Sequence, residues 1–211
     1  DKISNHIMPN TILTDVGSAK LNAVKIFSKL KNVKFNILPA HPIAGTEKSG
    51  PESGFAELFN KRWCVITPFG KNNKLSLDKL KKLWNIFGSK VQIMDAENHD
   101  KILAITSHMP HLISYAIVSS SLNANSKEKS QIIKFSAGGF RDFTRIAASD
   151  PTMWRDIFLN NKKNLLKTIV EFEKSLNLIK EYMKKNKPDK LQEVFVNTKK
   201  IRKLIEKEKQ E

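Results

Sequence analysis

The hydrophobic pattern of this chain changes period once, near residue 95, and that change restricts what the chain can fold into. Before it, short apolar runs alternate with helical patterns. Residues 11–16 (TILTDV) form an apolar run closed by Gly17-Ser18; Leu21, Val24, Phe27 and Leu30 then recur at three-residue steps, with Ile26 alongside, and residues 34–39 form a second run. The order reads strand, tight turn, helix, strand, so a βαβ unit with parallel strands and a right-handed crossover is expected. Residues 52–59 read as a short helix, 63–67 as a strand, 75–87 as an amphipathic helix and 91–94 as a strand. From residue 96 onward the pattern is helical throughout. Small residues at Ala104, Ser107, Ser114 and Ala116 permit close helix packing, and Pro110 is expected to bend the segment that carries them. The expected fold class is therefore α/β (residues 1–95) followed by all-α (residues 96–211). No low-complexity linker separates the two, so they are expected to pack together.

The helical half ends in two stripes. Asp150-Pro151 is a helix start, an N-cap carboxylate followed by proline at the first helical position. The helix it opens carries Leu165, Ile169, Phe172, Leu176, Ile179 and Met183 at alternating steps of four and three. Leu191, Val194, Thr198, Ile201 and Ile205 continue that rhythm beyond Pro188. Such spacing means a core or a helical subunit interface, and a C-terminal helical domain that forms a homodimer is expected.

Composition excludes some classes. The single cysteine, Cys64, rules out an internal disulfide and sits in an apolar run, as a buried structural thiol does. No stretch approaches the ~20 consecutive apolar residues of a membrane span and no signal peptide opens the sequence, so a cytoplasmic protein without a membrane partner is expected. A net charge of +16 raises the question of nucleic acid. The lysines, however, are spread over the helical segments, interleave with glutamates in residues 180–209, and rarely alternate with aromatics that could stack on bases. They read as solvated helix faces, and a nucleic-acid partner is not expected. The first residue is Asp1, and a helix-like residue 1–8 segment precedes the first strand; a piece of a longer chain is expected.

Four groups could carry chemistry. His41 opens HPIAGTEKSG directly after the second apolar run, and ligands bind beyond the carboxyl ends of strands in open α/β sheets. Histidine is also the side chain best suited to moving a proton near neutral pH; the plain alternative is a loop histidine that packs or caps. Ser18, in the turn TDVGSAK, would lie at the same sheet edge, either as the N-cap of the first helix or hydrogen-bonded to His41 or a bound hydroxyl. His108 and His111 share a helix face in SHMPH, but no cysteine or carboxylate pattern completes a metal shell, so no metal is expected. In GGFRDFTRIAASDPTMWRDIF the glycines Gly138 and Gly139 allow close backbone approach, and three of only five arginines cluster there (Arg141, Arg145, Arg155). Arginine grips a carboxylate with two parallel hydrogen bonds. Ion pairs with Asp142, Asp150 or Asp156 are the structural alternative.

Taken in order, TDVGSAK, HPIAGTEKSG, SHMPH and GGFRDFTRIAASDPTMWRDIF resemble the prephenate and arogenate dehydrogenases of tyrosine biosynthesis, over residues 11 to about 185. The resemblance implies a Rossmann-type dinucleotide-binding domain followed by an all-helical, substrate-binding dimerisation domain. It also implies an NAD- or NADP-dependent oxidative decarboxylation of prephenate or arogenate. On it, His41 matches the histidine that takes the proton of the ring hydroxyl, Ser18 the serine beside substrate and nicotinamide, and Arg145 the arginine that binds a substrate carboxylate. Glu47, His111, Gly139 and Trp154 match positions that line or gate the pocket.

One departure bears on activity. The family's phosphate-binding loop, G-x-G-x-x-G between a first strand and first helix, does not occur in this sequence. The sheet is thus expected to be an incomplete Rossmann-type sheet, its pyrophosphate site missing, and these residues alone are expected to turn over little substrate. The alternatives are a catalytically silent dimeric module that binds prephenate or tyrosine-like ligands, and, on charge alone, a basic nucleic-acid binder.

Overall fold

The computed structural model describes residues 3–30, 32–48, 50–70, 74–121, 123 and 125–207. β1 (Ile12–Leu13) and β2 (Asn36–Ile37) are parallel neighbours connected through α1 (Leu21–Phe27), with Ile12 opposite Asn36 and Leu13 opposite Ile37. Their ladder continues past both strands, Leu38 N donating to Leu13 O at 2.9 Å and Ala40 N to Asp15 O at 3.3 Å. The βαβ unit is present as expected.

The next strand departs from expectation. His41, expected in a loop past the strand end, is the middle residue of β3 (Ala40–Pro42), which runs antiparallel to β4 (Trp63–Ile66) with His41 opposite Val65. The two prolines account for this: each disfavours the helical region for the residue before it, so Pro39 and Pro42 hold Leu38 and His41 extended. Residues 36–42 therefore pair with β1 through their first half and β4 through their second, Thr67 N donating to Pro39 O at 2.8 Å. β4 is parallel to β5 (Lys90–Ile93), and α2 (Lys74–Ile86) lies between them in sequence. Leu80 and Trp84 of α2 pack on Leu38, Ala40, Cys64 and Ile66, each such side chain contributing roughly 1.5–3 kcal/mol by leaving water. Cys64 is fully buried there, and burial pushes its thiol up to about 12, as befits a structural residue. The short helix expected over residues 52–59 is only a 3-10 turn, Pro51–Ser53. It is bounded by Gly50, at a φ of 92° open to glycine, and by an extended Gly54.

Among the described residues no strand follows β5. α3 (Ala96–Leu103) and α4 (Met109–Ser121) form one continuous run joined by a π-helical turn, Ala104–His108. Pro110, which lacks an N–H, lies directly after that turn, and the expected disturbance takes this form rather than a kink. By length and apolar composition the run from Ala96 to Ser121 could cross a membrane, a feature the sequence reading did not find. Its His99, Asp100, His108 and Ser114 are fully buried, and the hydrogen bonds of the first three to other elements, given below, mark it as a helix that packs into the core. α5 (Ser126–Lys134) opens with a capping box of Asn125 and Glu128, α6 (Gly138–Ala147) follows, and Asp150 caps α7 (Pro151–Asn160), accepting from Met153 N at 2.6 Å. The helix expected to run unbroken from Pro151 stops at Asn160, and α8 (Lys162–Lys184) begins after Asn161. α9 (Pro188–Lys207) follows a turn at Asn186.

The chain forms two compact units, residues 1–165 and 166–211. The first contains the sheet, its helices and the cavity described next. The second contains the rest of α8 and all of α9.

Candidate active site

α1 has no side-chain cap of its own. Ser18, the local candidate, does not cap it; the first amides, of Lys20 and Leu21, instead donate to Asp100, 80 and 79 residues away, at 2.7 Å to Oδ1 and 3.0 Å to Oδ2. Asp100 is fully buried in α3 and also lies 2.8 Å from His99 Nδ1. Burial alone would raise its pKa, but the bonds from His99, Lys20 and Leu21 outweigh that and hold the carboxyl below the usual range. Asn161, at the α7–α8 break, donates from Nδ2 to Asp100 O at 2.7 Å and lies 3.1 Å from His108 Nδ1. The interruption at Asn161 thus fixes α3 in place.

His99 Nε2 lies 2.8 Å from His41 Nδ1, the two rings meeting edge to face. Lys20, wholly buried, donates through Nζ to Ala40 O at 2.7 Å and pairs with Asp15, so the residue before His41 is anchored as well. Burial lowers the Lys20 pKa, opposed by Asp15. Burial, reinforced by His99 and Lys20, pushes the His41 pKa down to about 3. His41 is therefore a neutral imidazole at any physiological pH.

His41 borders a cavity of about 750 Å³ that also meets Ser18, Glu47, His111, Arg145 and Trp154. Six of the seven residues singled out from sequence thus converge, although they span positions 18 to 154. Arg145, from α6, reaches Glu47 and Asp142 at 3.6 Å each, with about half its side chain exposed. At that length neither is a tight hydrogen bond. His111 stacks on Trp154 at 3.5 Å between centroids, and its Nδ1 donates to Ser107 O at 2.9 Å, leaving Nε2 as an acceptor. Gly139 does not border the cavity; it lies in the first turn of α6, where an added Cβ would meet nothing within 4 Å. His108, the other member of SHMPH, faces inward, and burial lowers its pKa to about 4. Arg155 pairs with Asp156, as the structural alternative had it. Among the described residues no three potential ligands cluster as a metal site. The sequence reading did not single out His99 and Asp100; a His-Asp pair inside an otherwise small-residue helical run was the signal available.

Fold and site define an α/β half of the Rossmann type, whose sheet presents a neutral histidine to a cavity completed by residues of an all-helical half. The profile of the prephenate dehydrogenase nucleotide-binding domain matches residues 1–93, and that of the prephenate dehydrogenase dimerization domain matches residues 95–197. The chain belongs to the prephenate dehydrogenase family. It is 37% identical to the cyclohexadienyl dehydrogenase of Zymomonas mobilis over 92% of its own length and 66% of that protein's. With the prephenate dehydrogenase of Bacillus subtilis the identity is 33%, over 90% of this chain and 51% of the relative. The chain thus spans between half and two thirds of these relatives. Among solved structures, the prephenate dehydrogenase of A. aeolicus in complex with hydroxyphenyl propionate and NAD+ superposes with a TM-score of 0.88 at 38% identity, over 97% of this chain and 70% of that one.

Proposed function

We propose that these residues form the substrate-binding and proton-abstracting part of an enzyme that oxidatively decarboxylates prephenate or arogenate. The observation that carries the reading is the convergence of a neutral His41, Ser18 and the Arg145 guanidinium on one cavity large enough for a ring of that size. In this reading Arg145 exchanges its long contacts with Glu47 and Asp142 for a substrate carboxylate. His41 takes the proton of the ring hydroxyl, Ser18 holds that hydroxyl at the sheet edge, and Glu47, His111 and the Trp154 ring line the pocket. Gly139, outside the cavity, is given no part.

When bound, NAD or NADP accepts the hydride from the ring carbon. Ser18, past the carboxyl end of β1 and on the cavity with His41, would hold its nicotinamide end. No glycine-rich loop for the pyrophosphate end occurs within these 211 residues. Residues 1–95 and 96–211 divide the work as nucleotide-side and substrate-side parts, with dimerisation assigned to the helical part and the cytoplasm as the place of action.

A second reading, resting on the same cavity, is a silent dimeric module that binds the acid alone. Separate calorimetric titrations with 4-hydroxyphenylpyruvate and NAD, followed by an assay with prephenate, distinguish them. The enzyme reading expects the acid to bind, the nucleotide to bind weakly, and slow but measurable turnover; acid binding without nucleotide binding or turnover favours the module. A chain that does not bind the acid overturns both.

A further inference from the structure

The catalytic reading leaves open how one particular nitrogen of His41 is made the base. A neutral imidazole has two tautomers, and only one presents a lone pair at Nε2. The hydrogen bonds behind His41 decide between them. Asp100 is the fixed point: its carboxylate only accepts, and it is held by two backbone amides of α1 while Asn161 holds its carbonyl. The nitrogen 2.8 Å from Asp100 Oδ1, His99 Nδ1, must therefore carry a proton. A His99 that carries that one ring proton has its lone pair on Nε2. The atom 2.8 Å away, His41 Nδ1, must then donate to it. His41 is left with a proton on Nδ1 and a lone pair on Nε2.

We propose that His99 and Asp100 are positioning residues that lock His41 in the Nδ1–H tautomer, so that Nε2 is the base toward the cavity. The inference rests on His41 acting as the proton acceptor, as set out above, and supplies what that reading lacks. When Nε2 takes the hydroxyl proton, His41 becomes an imidazolium whose Nδ1–H already points at His99 Nε2. The new charge is then stabilised through His99 by a carboxylate that stays ionised. No bond is broken behind His41; the only proton moved is the one received at Nε2. The chain performs the task of an acidic group behind a catalytic histidine, with a second imidazole inserted between them. Neither His99 nor Asp100 is exposed, so neither is free to bind substrate itself.

The test needs no bound dinucleotide. Histidine-¹⁵N NMR of the 211-residue chain, with His41 assigned by its loss in His41→Asn, reads the tautomer directly. The expected native spectrum has an unprotonated Nε2 and a protonated Nδ1. In Asp100→Asn the amide oxygen, in place of Oδ2, still accepts from Leu21 N, and the NH2 in place of Oδ1 gives up the Lys20 N–H bond but can donate to His99 Nδ1, which reverses both imidazoles and moves the unprotonated signal of His41 to Nδ1. His99→Phe, which leaves Asp100 capping α1 and removes both the acceptor for His41 and the donor to Asp100, is expected to leave a mixture of tautomers. A native His41 protonated at Nε2 overturns the proposal, and so does a His41 tautomer unaltered in either folded variant. Should Asp100→Asn fail to fold, the native spectrum and His99→Phe still decide. Because tautomers are read without substrate, a failure here is separate from a failure of the chain to bind the acid or turn over.

Discussion

At the scale of single residues, the proposed function gives binding to Arg145 and chemistry to His41, and that division has measurable consequences. Arg145 is half exposed and its two carboxylate contacts are long, so each is worth little and is readily exchanged for a ligand. Hydrogen bonds to charged groups contribute about 1.5–3 kcal/mol. Arg145→Ala is therefore expected to weaken 4-hydroxyphenylpyruvate by roughly ten- to hundredfold in calorimetry. His41→Asn keeps size and polarity but lacks a basic nitrogen. It is expected to leave that affinity within a few fold while lowering kcat by on the order of 10²–10⁴, the usual contribution of a placed base. A large loss of affinity in His41→Asn with unchanged turnover would reverse the two roles.

At the scale of elements, the helix start most exposed to a single substitution is not the one marked by a cap motif. Asp150 caps α7 in the ordinary local way, and Asp150→Ala is expected to cost about 1 kcal/mol. Asp100→Ala strands two α1 amides and His99 Nδ1. Each unsatisfied buried donor costs about 1–3 kcal/mol, so denaturant titration should show a loss several times that of Asp150→Ala; equal losses would mean that α1 holds its start by other means. The contrast also explains what could be read from the sequence. Asp150-Pro151 is a local signal and was legible, as were the βαβ order, the α2 face and the chemistry-bearing types Ser18, His41, Glu47, His111, Arg145 and Trp154. The cap of α1 was not, because its two halves lie about 80 residues apart and ENHD reads as a polar helix start. The strand at His41 was missed because pairing with β4 is a tertiary choice. The break at Asn161 was missed because the apolar rhythm carries on across it, while the reason for the break, the bonds of Asn161 to α3 and His108, is again distant in sequence.

At the scale of the whole molecule, two buried imidazoles tie stability to pH. Burial lowers the folded pKa of His41 to about 3 and of His108 to about 4, against about 6.5 when unfolded. Below 6.5 the unfolded chain therefore binds more protons. The stability is fully present above that pH and is lost as the pH falls toward 3–4, by about 1.4 kcal/mol per pH unit for each group. Thermal melts from pH 7.5 down to 4.5 should show Tm falling below 6.5, less steeply in His108→Gln; a flat profile would mean that the buried histidines take up protons when folded.

The C-terminal unit raises a different question, because its apolar stripe has little to cover it within one chain. Leu176 is 52% exposed, Met183 66%, Ile201 55% and Ile205 56%, at the spacing that an interhelical seam requires. In the proposed homodimer a second copy of the chain would cover such a face. Two-fold association uses each residue twice. Leu176→Glu would remove roughly 1.5–3 kcal/mol of apolar burial at each of two places, and the dimer should weaken by at least about a hundredfold. Each copy brings a net charge of +16, so raising salt should tighten the native dimer by screening that repulsion. Sedimentation equilibrium across protein concentration at low and high salt reads both effects. A native chain that stays monomeric at the highest concentration and salt, or a Leu176→Glu variant that associates as the native does, would place the contact elsewhere.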